Sequence, residues 1–157
     1  MNSITIRKAR LEDVESIAAL GLCVWIDTYA TQGLRFRLGN YALGLFARDK
    51  IQALLRARTV LVAEQAEHLV AYAVLAIDNE STEVENLYVL PKFQRRGIGR
   101  TLINTIACEY SGVWLACWEQ NDRAIGFYKA LGFIEHGESF FDLDGEQYRN
   151  VTLVLGT

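Results

Sequence analysis

The stretch that most constrains this chain runs Val89-Leu90-Pro91-Lys92-Phe93-Gln94-Arg95-Arg96-Gly97-Ile98-Gly99-Arg100. Before it, Glu83 to Leu90 is rich in strand-favouring Val, Leu and Tyr. After it, Ile98, Leu102, Ile106 and Tyr110 recur at helical spacing. A basic, glycine-containing turn therefore joins a strand to a helix. Helix N-termini expose unpaired N–H groups and carry partial positive charge. Gly97 and Gly99 remove Cβ atoms where a ligand would approach the backbone, and Arg95, Arg96 and Arg100 add full charges. The physical reading is a cradle for a phosphorylated ligand. It lacks the Gly-Lys-Ser/Thr ending of a P-loop, and no third glycine follows at dinucleotide-fold spacing.

Around this turn the chain reads as one domain, 1–157, with no linker, repeat or low-complexity tract to divide it. Met1 to Arg7 reads as a first strand and not as a secretory signal. Glu12 and Asp13 suit the first turn of a helix whose apolar positions run from Val14 to Trp25. Thr31-Gln32-Gly33 breaks it, and a second helical stretch covers about 36 to 56. Strands follow at Thr59–Glu64 and Leu69–Ile77, with turns at Gln65–His68 and Asp78–Ser81. After the cradle helix, Gly112 to Trp118 is a near-continuous apolar run, as in a strand buried on both faces. Asn121 opens a short helix as N-cap, and Gly132 closes it. Gly126 inside that helix should cost about 1 kcal/mol against alanine. Phe133–Phe141 and Tyr148–Leu155 are the last strands, with Asp144-Gly145 as a hairpin turn between them. The order is β-α-α-β-β-β-α-β-α-β-β.

Composition excludes several classes. A net charge of −3 argues against nucleic acid as the main partner. No apolar run is long enough to span a bilayer. Cys23, Cys108 and Cys117 are odd in number and show no C-x-x-C spacing, so they read as buried thiols in a reducing compartment. His68 and His136 are isolated, and no cluster suggests a metal site.

Two motifs carry a resemblance. Gln94-Arg95-Arg96-Gly97-Ile98-Gly99 resembles the Q/R-x-x-G-x-G/A signature of the GNAT superfamily of N-acetyltransferases. Asn121-Asp122-Arg123-Ala124-Ile125-Gly126-Phe127-Tyr128-Lys129-Ala130-Leu131-Gly132-Phe133 resembles the second signature, N-x-x-A-x-x-F-Y-x-x-x-G-F. They stand in the family's order, and the element order matches over nearly the whole chain. The resemblance implies an α/β (α+β) fold of the acyl-CoA N-acyltransferase type. Its mixed, mostly antiparallel sheet would have about seven strands and helices on both faces.

The resemblance also implies roles. Acetyl-CoA would be the co-substrate, with no metal. The amides of Arg95, Arg96, Gly97, Ile98, Gly99 and Arg100, with Gln94 at their head, would hold its pyrophosphate. Leu87, Tyr88 and Val89 would pair with pantetheine as if it were an added strand. The run from Leu115 to Trp118 would splay away and leave the slot. Asn121 and Ala124 would border the cofactor arm, with Phe127 as core or slot wall. Tyr128 matches the tyrosine beside the CoA sulfur. Trp114 and Trp118 read as packing residues, whereas Trp25 and Tyr29 are candidate aromatic walls for the acceptor.

The chemistry follows from the reactants. An amine acceptor has a pKa near about 10.4, so a proton must be removed before attack. Glu83 and Glu85 are the candidate bases, sharing a face if the strand is regular and parted by a bulge. Glu83 matches the base of histone-acetylating members; Glu85 could instead hold the substrate ammonium. The Val89 N–H can serve the carbonyl oxygen, and Tyr128 suits the general acid. Ribosomal-protein N-terminal acetyltransferases of this fold place a glutamate where this chain has Ala116. The expected function is acetyl transfer to a small cationic primary amine. The alternatives are a protein or peptide N-acetyltransferase and a non-catalytic acyl-CoA-binding module. The final hairpin bears Glu135, Glu138, Asp142, Asp144 and Glu146, either as a solvated rim or facing the acceptor. Partners are expected to be small molecules, not nucleic acid or membrane. A homodimer is left open, and the location is expected to be cytoplasmic.

Overall fold

The computed structural model describes residues 3–157. The expected first strand occupies β1 (Ile4–Lys8); Met1 and Asn2 lie outside the described residues. A short 3-10 turn at Leu11–Asp13 leads into α1 (Val14–Tyr29). Asp13 belongs to a local network and not to a helix dipole alone. Its carboxylate accepts from the Arg7 guanidinium and the Arg10 N–H, and Arg7 also reaches Glu64. The Arg7 hydrogen bonds hold the Asp13 carboxyl below the usual range.

The expected second helix is two helices, α2 (Phe36–Leu45) and α3 (Arg48–Ala57). The chain bends at Phe46-Ala47 because Phe46 turns inward onto Tyr88, with ring centroids 6.2 Å apart. Gly21 of α1 makes room for this. A Cβ there would collide with the Phe46 ring and the Tyr72 hydroxyl.

The strands β2 (Thr59–Gln65), β3 (His68–Ile77), β4 (Thr82–Val89), β5 (Val113–Trp118), β6 (Phe133–Leu143) and β7 (Glu146–Leu155) join β1 in one sheet. The order is β1-β2-β3-β4-β5-β7-β6. Every neighbouring pair is antiparallel except β4 with β5. The remaining helices are α4 (Ile98–Glu109), after a 3-10 turn at Pro91–Phe93, and α5 (Asp122–Ala130).

Two cores flank the sheet. Leu102, Ile103 and Ile106 of α4 pack with Val84, Leu115 and Cys117 on one face. Val14, Ile17 and Leu20 of α1 pack with Val62, Tyr72 and Val74 on the other. Among the described residues no helix is long and apolar enough to cross a membrane.

Gly126 faces open space, with nothing within 4 Å of where a Cβ would sit. Gly126→Ala should therefore raise the free energy of unfolding by about 1 kcal/mol through helix propensity, with no steric cost. Denaturant melts of the two proteins measure the difference.

Candidate active site

The site begins where the sheet opens. β4 and β5 pair only at Thr82–Val113 and Glu83–Trp114. Beyond those positions β5 keeps β7 as its partner and β4 keeps β3. The edge of β4 that faces β5 is thus left without a strand from Val84 onward. The Leu90 N–H donates to Val70 on β3, so by strand alternation the Leu87 and Val89 peptide groups face the opening. A cavity of about 610 Å³ fills the gap. Residues from β4, β5, α1, α4, α5 and the last hairpin line it.

At one end lies the glycine turn. Gln94 anchors it by donating from Nε2 to the Val89 carbonyl at 3.0 Å, and Arg123 donates to Gln94 Oε1 at 3.3 Å. Arg95 and Gly97 both have positive φ, at 62° and 83°. That conformation reverses the chain so that α4 starts with its amides toward the cavity, and at Gly97 it favours glycine. Gly99 has a different task. A Cβ there would come within 3.0 Å of the Phe127 ring, so glycine lets α4 and α5 approach. Gln94, Arg95, Gly97, Ile98, Gly99 and Arg100 all line the cavity. Arg96 does not; its guanidinium lies over the Phe93 ring, 5.2 Å from the centroid.

The middle of the cavity meets α5. Asn121 caps this helix by accepting from the Ala124 N–H at 3.2 Å, which leaves its own amide N–H groups to donate elsewhere. Ala124, Phe127 and Tyr128 line the wall. Phe127 is both core and wall, as it packs into the α4 cluster. Tyr128 is 8% exposed and is flanked by the rings of Phe127 and Phe133 at 5.1 and 5.4 Å. Burial, with Cys117 and Tyr88 adding to it, pushes its phenol well above the usual value. Tyr128 therefore keeps its proton and has an O–H to donate.

The far end holds the carboxylates. Glu83 and Glu85 both line the cavity. A bulge separates them from the cradle: Val74 pairs with Asn86, but Leu75 pairs with Val84, so Glu85 is the extra residue. Its mark is that Val84 and Leu87, three apart, pack in the same core. Arg58, at the C-terminal cap of α3, donates to both oxygens of Glu85 at 3.1 Å. Glu85 is thereby paired with a counter-charge. Burial, then the Glu85 charge, raises the Glu83 carboxyl, while Arg58 opposes the rise. The two carboxylates are so divided into a paired one and one poised to take a proton.

Around this end lie Asp27, Thr28, Tyr29, Trp118, Phe141 and Asn150. Four were missed from sequence. Asp27 and Thr28 follow buried Val24 at i+3 and i+4, a shared helix face that could have marked them. Phe141 and Asn150 carried no local signal. Trp118, read as packing, also lines the cavity. Trp25 does not reach it. It is 4% exposed and lies behind Tyr29, ring centroids 5.0 Å apart, against Ala42 and Leu143. The hairpin acids stay outside as well. Glu138 pairs with Arg149, Glu135 with Lys129 and Asp144 with Arg37, while Asp142 accepts from the Gly145 N–H. Glu119 is likewise held by Arg149.

The GNAT acetyltransferase domain family matches residues 56–135, just over half of the chain, from the end of α3 into β6. This chain belongs to the GNAT family. An uncharacterized N-acetyltransferase of Lactobacillus delbrueckii is 29% identical over 82 residues, 49% of this chain and 47% of that protein. The ribosomal protein bS18-alanine N-acetyltransferase of Salmonella typhimurium is 35% identical over 74 residues, 44% of this chain and 50% of that one. The chain thus spans about half the length of these curated relatives. The PaiA N-acetyltransferase of Thermoplasma acidophilum, solved with coenzyme A, shares the fold at a TM-score of 0.77 and 22% identity. That likeness covers 96% of this chain and 98% of that one. This GNAT chain keeps both family motifs on the walls of one cavity.

Proposed function

We propose that the chain transfers the acetyl group of acetyl-CoA to the primary amine of a small cationic acceptor, by direct attack with both substrates bound. One observation carries this reading. The unpaired edge of β4 joins a glycine turn at one end to a carboxylate pair at the other, within one cavity. The fit to acetyl-CoA is specific in kind. The Leu87 peptide group and the Val89 N–H suit the amides of pantetheine, the Val89 carbonyl being held by Gln94, and the α4 N-terminus with Arg95 and Arg100 suits a pyrophosphate.

The residues divide the work. Glu83 accepts the ammonium proton, directly or through water, which frees the amine to attack. Arg58 holds Glu85 and keeps Glu83 from rising too far to act as a base. The Val89 N–H faces the opening, where it can donate to the thioester carbonyl oxygen. As the new C–N bond forms and the C–S bond breaks, Tyr128 donates a hydrogen bond to the departing sulfur, which takes up the second amine proton and leaves as the CoA thiol. Tyr128→Phe should lower kcat by roughly tenfold to a thousandfold with little change in acetyl-CoA affinity. Pre-steady-state rates and a binding isotherm separate the two; an unchanged chemical step would make Tyr128 a packing residue only.

A second reading has a specific observation behind it: one relative, by its name, acetylates an alanine of a ribosomal protein. Against it stands Ala116, which lines the cavity where such enzymes carry their base. A binding module without turnover is disfavoured by the presence of Glu83 and Tyr128 in the same cavity. The test is CoA release across a panel of amines and peptides at two salt concentrations. A small cationic amine should be turned over, with kcat/KM falling as salt rises. Turnover of a peptide with every small amine inert would replace this reading with the second.

A further inference from the structure

We propose that the acceptor carries a flat, apolar body beside its reacting ammonium, such as an arylalkylamine, and is not a chain of charges like a polyamine. This rests on the acetyl-transfer reading above.

The far end of the cavity has the chemistry of rings. Val113, Leu115 and Cys117 of β5 are buried in the core with α4, so Trp114, Ala116 and Trp118 point to the opposite, acceptor-side face. Four rings there form a closed circuit. Tyr29 to Trp118 is 5.2 Å, Trp118 to Tyr148 is 5.5 Å, Tyr148 to Phe141 is 5.3 Å and Phe141 to Tyr29 is 6.2 Å. Each ring is held by two others, so the wall is preorganised. Tyr29, Trp118 and Phe141 line the cavity. Ala116 sits between the two tryptophans along β5 and also lines it. Its single methyl keeps the cavity wall low beside Trp118, a hollow that a larger side chain would fill.

The charge count points the same way. Of the cavity's carboxylates, Glu85 is taken by Arg58. Glu83 is left for the reacting ammonium, and Asp27 stands exposed at the rim. Of the hairpin acids, Glu138, Glu135 and Asp144 are paired with Arg149, Lys129 and Arg37, Asp142 accepts from the Gly145 N–H and Glu146 from the Tyr148 hydroxyl, and none of them lines the cavity. A ring wall stacks on a flat apolar body and on the flank of one cation, and the rings give further ammonium groups no counter-charge, which leaves Asp27 at the rim as the one cavity carboxylate, among the described residues, beyond the Glu83 and Glu85 pair.

The test uses saturating acetyl-CoA and measures CoA release with four acceptors: 2-phenylethylamine, butylamine, putrescine and spermidine. 2-Phenylethylamine and butylamine differ only in the body attached to one ammonium. kcat/KM for 2-phenylethylamine should exceed that for butylamine by about tenfold or more, the scale on which an apolar pocket discriminates. Putrescine and spermidine should be poorer still. Phe141→Ala and, separately, Ala116→Leu should each lower the phenylethylamine-to-butylamine ratio several-fold. The first removes a ring and the second fills the hollow, and neither needs the other to fold. A ratio near one, or spermidine as the best acceptor, would overturn the inference while leaving acetyl transfer intact. No release above the amine-free background with any of the four acceptors would overturn the small-amine reading, and this inference with it.

Discussion

Gly99→Asp should leave a folded protein that no longer holds acetyl-CoA. Residue 99 lies in the first turn of α4, on the cavity wall, with Phe127 where a Cβ would go. An aspartate there must push Phe127 aside and place a negative charge beside the proposed pyrophosphate site. At about 4 Å and an effective dielectric of about 20, one such repulsion is on the order of 4 kcal/mol. That corresponds to about a thousandfold in Kd. Gly99→Asn, nearly the same shape without the charge, should lose far less. Titration calorimetry on both variants, with thermal melts to confirm folding, separates bulk from charge. Gly97→Asp adds the strain of φ = 83° to the same repulsion. Arg96→Ala should be mild, because that side chain lies on Phe93 and away from the cavity.

Glu83→Gln should lower kcat/KM by about a hundredfold to ten-thousandfold, the range for losing one proton acceptor. It should also erase the acidic limb of the pH profile. Because burial and Glu85 raise the folded-state pKa of Glu83, that limb should lie above the ordinary carboxylate range. The same shift fixes the sign of the stability effect. A carboxyl with a raised folded pKa favours the fold below its unfolded pKa. That contribution is lost as pH rises through the folded pKa. Near neutral pH the ionised Glu83 therefore costs stability, and Glu83→Gln should melt at the same temperature or higher than the parent. A variant that is inactive and also less stable would make Glu83 structural.

The cradle and the α5 motif were legible in the sequence because they are local. Gln94 reaches Val89 five residues back, Asn121 caps Ala124, and Gly97 answers a single backbone angle. The bulge in β4 was legible only as an alternative, since its register is set by β3. The partner of Glu85 was not legible. Arg58 lies 27 positions away, and only the packing of α3 against the sheet brings it there. Counting acids on the last hairpin could not tell a cavity-facing carboxylate from one already paired, because Arg149 reaches Glu119 and Glu138 together. Trp25 and Trp118 exchanged their expected places for a similar reason. Both are large rings in apolar stretches, and only the position of Tyr29 between Trp25 and the cavity separates wall from core. The division of the second helix depends on Phe46 finding Tyr88 and the space above Gly21, again a matter of tertiary packing.

The measurement that bears most directly on the central claim is amide hydrogen exchange with and without saturating acetyl-CoA. The claim is that the unpaired edge of β4 receives the co-substrate as a strand would be received. The Leu87 and Val89 amides, which face the opening, should slow markedly on binding. Those of Gly97 and Gly99 at the start of α4 should slow with them. The Leu90 amide, already bonded to Val70, should change little. Binding of acetyl-CoA that leaves Leu87 and Val89 exchanging at their free rates would contradict the account.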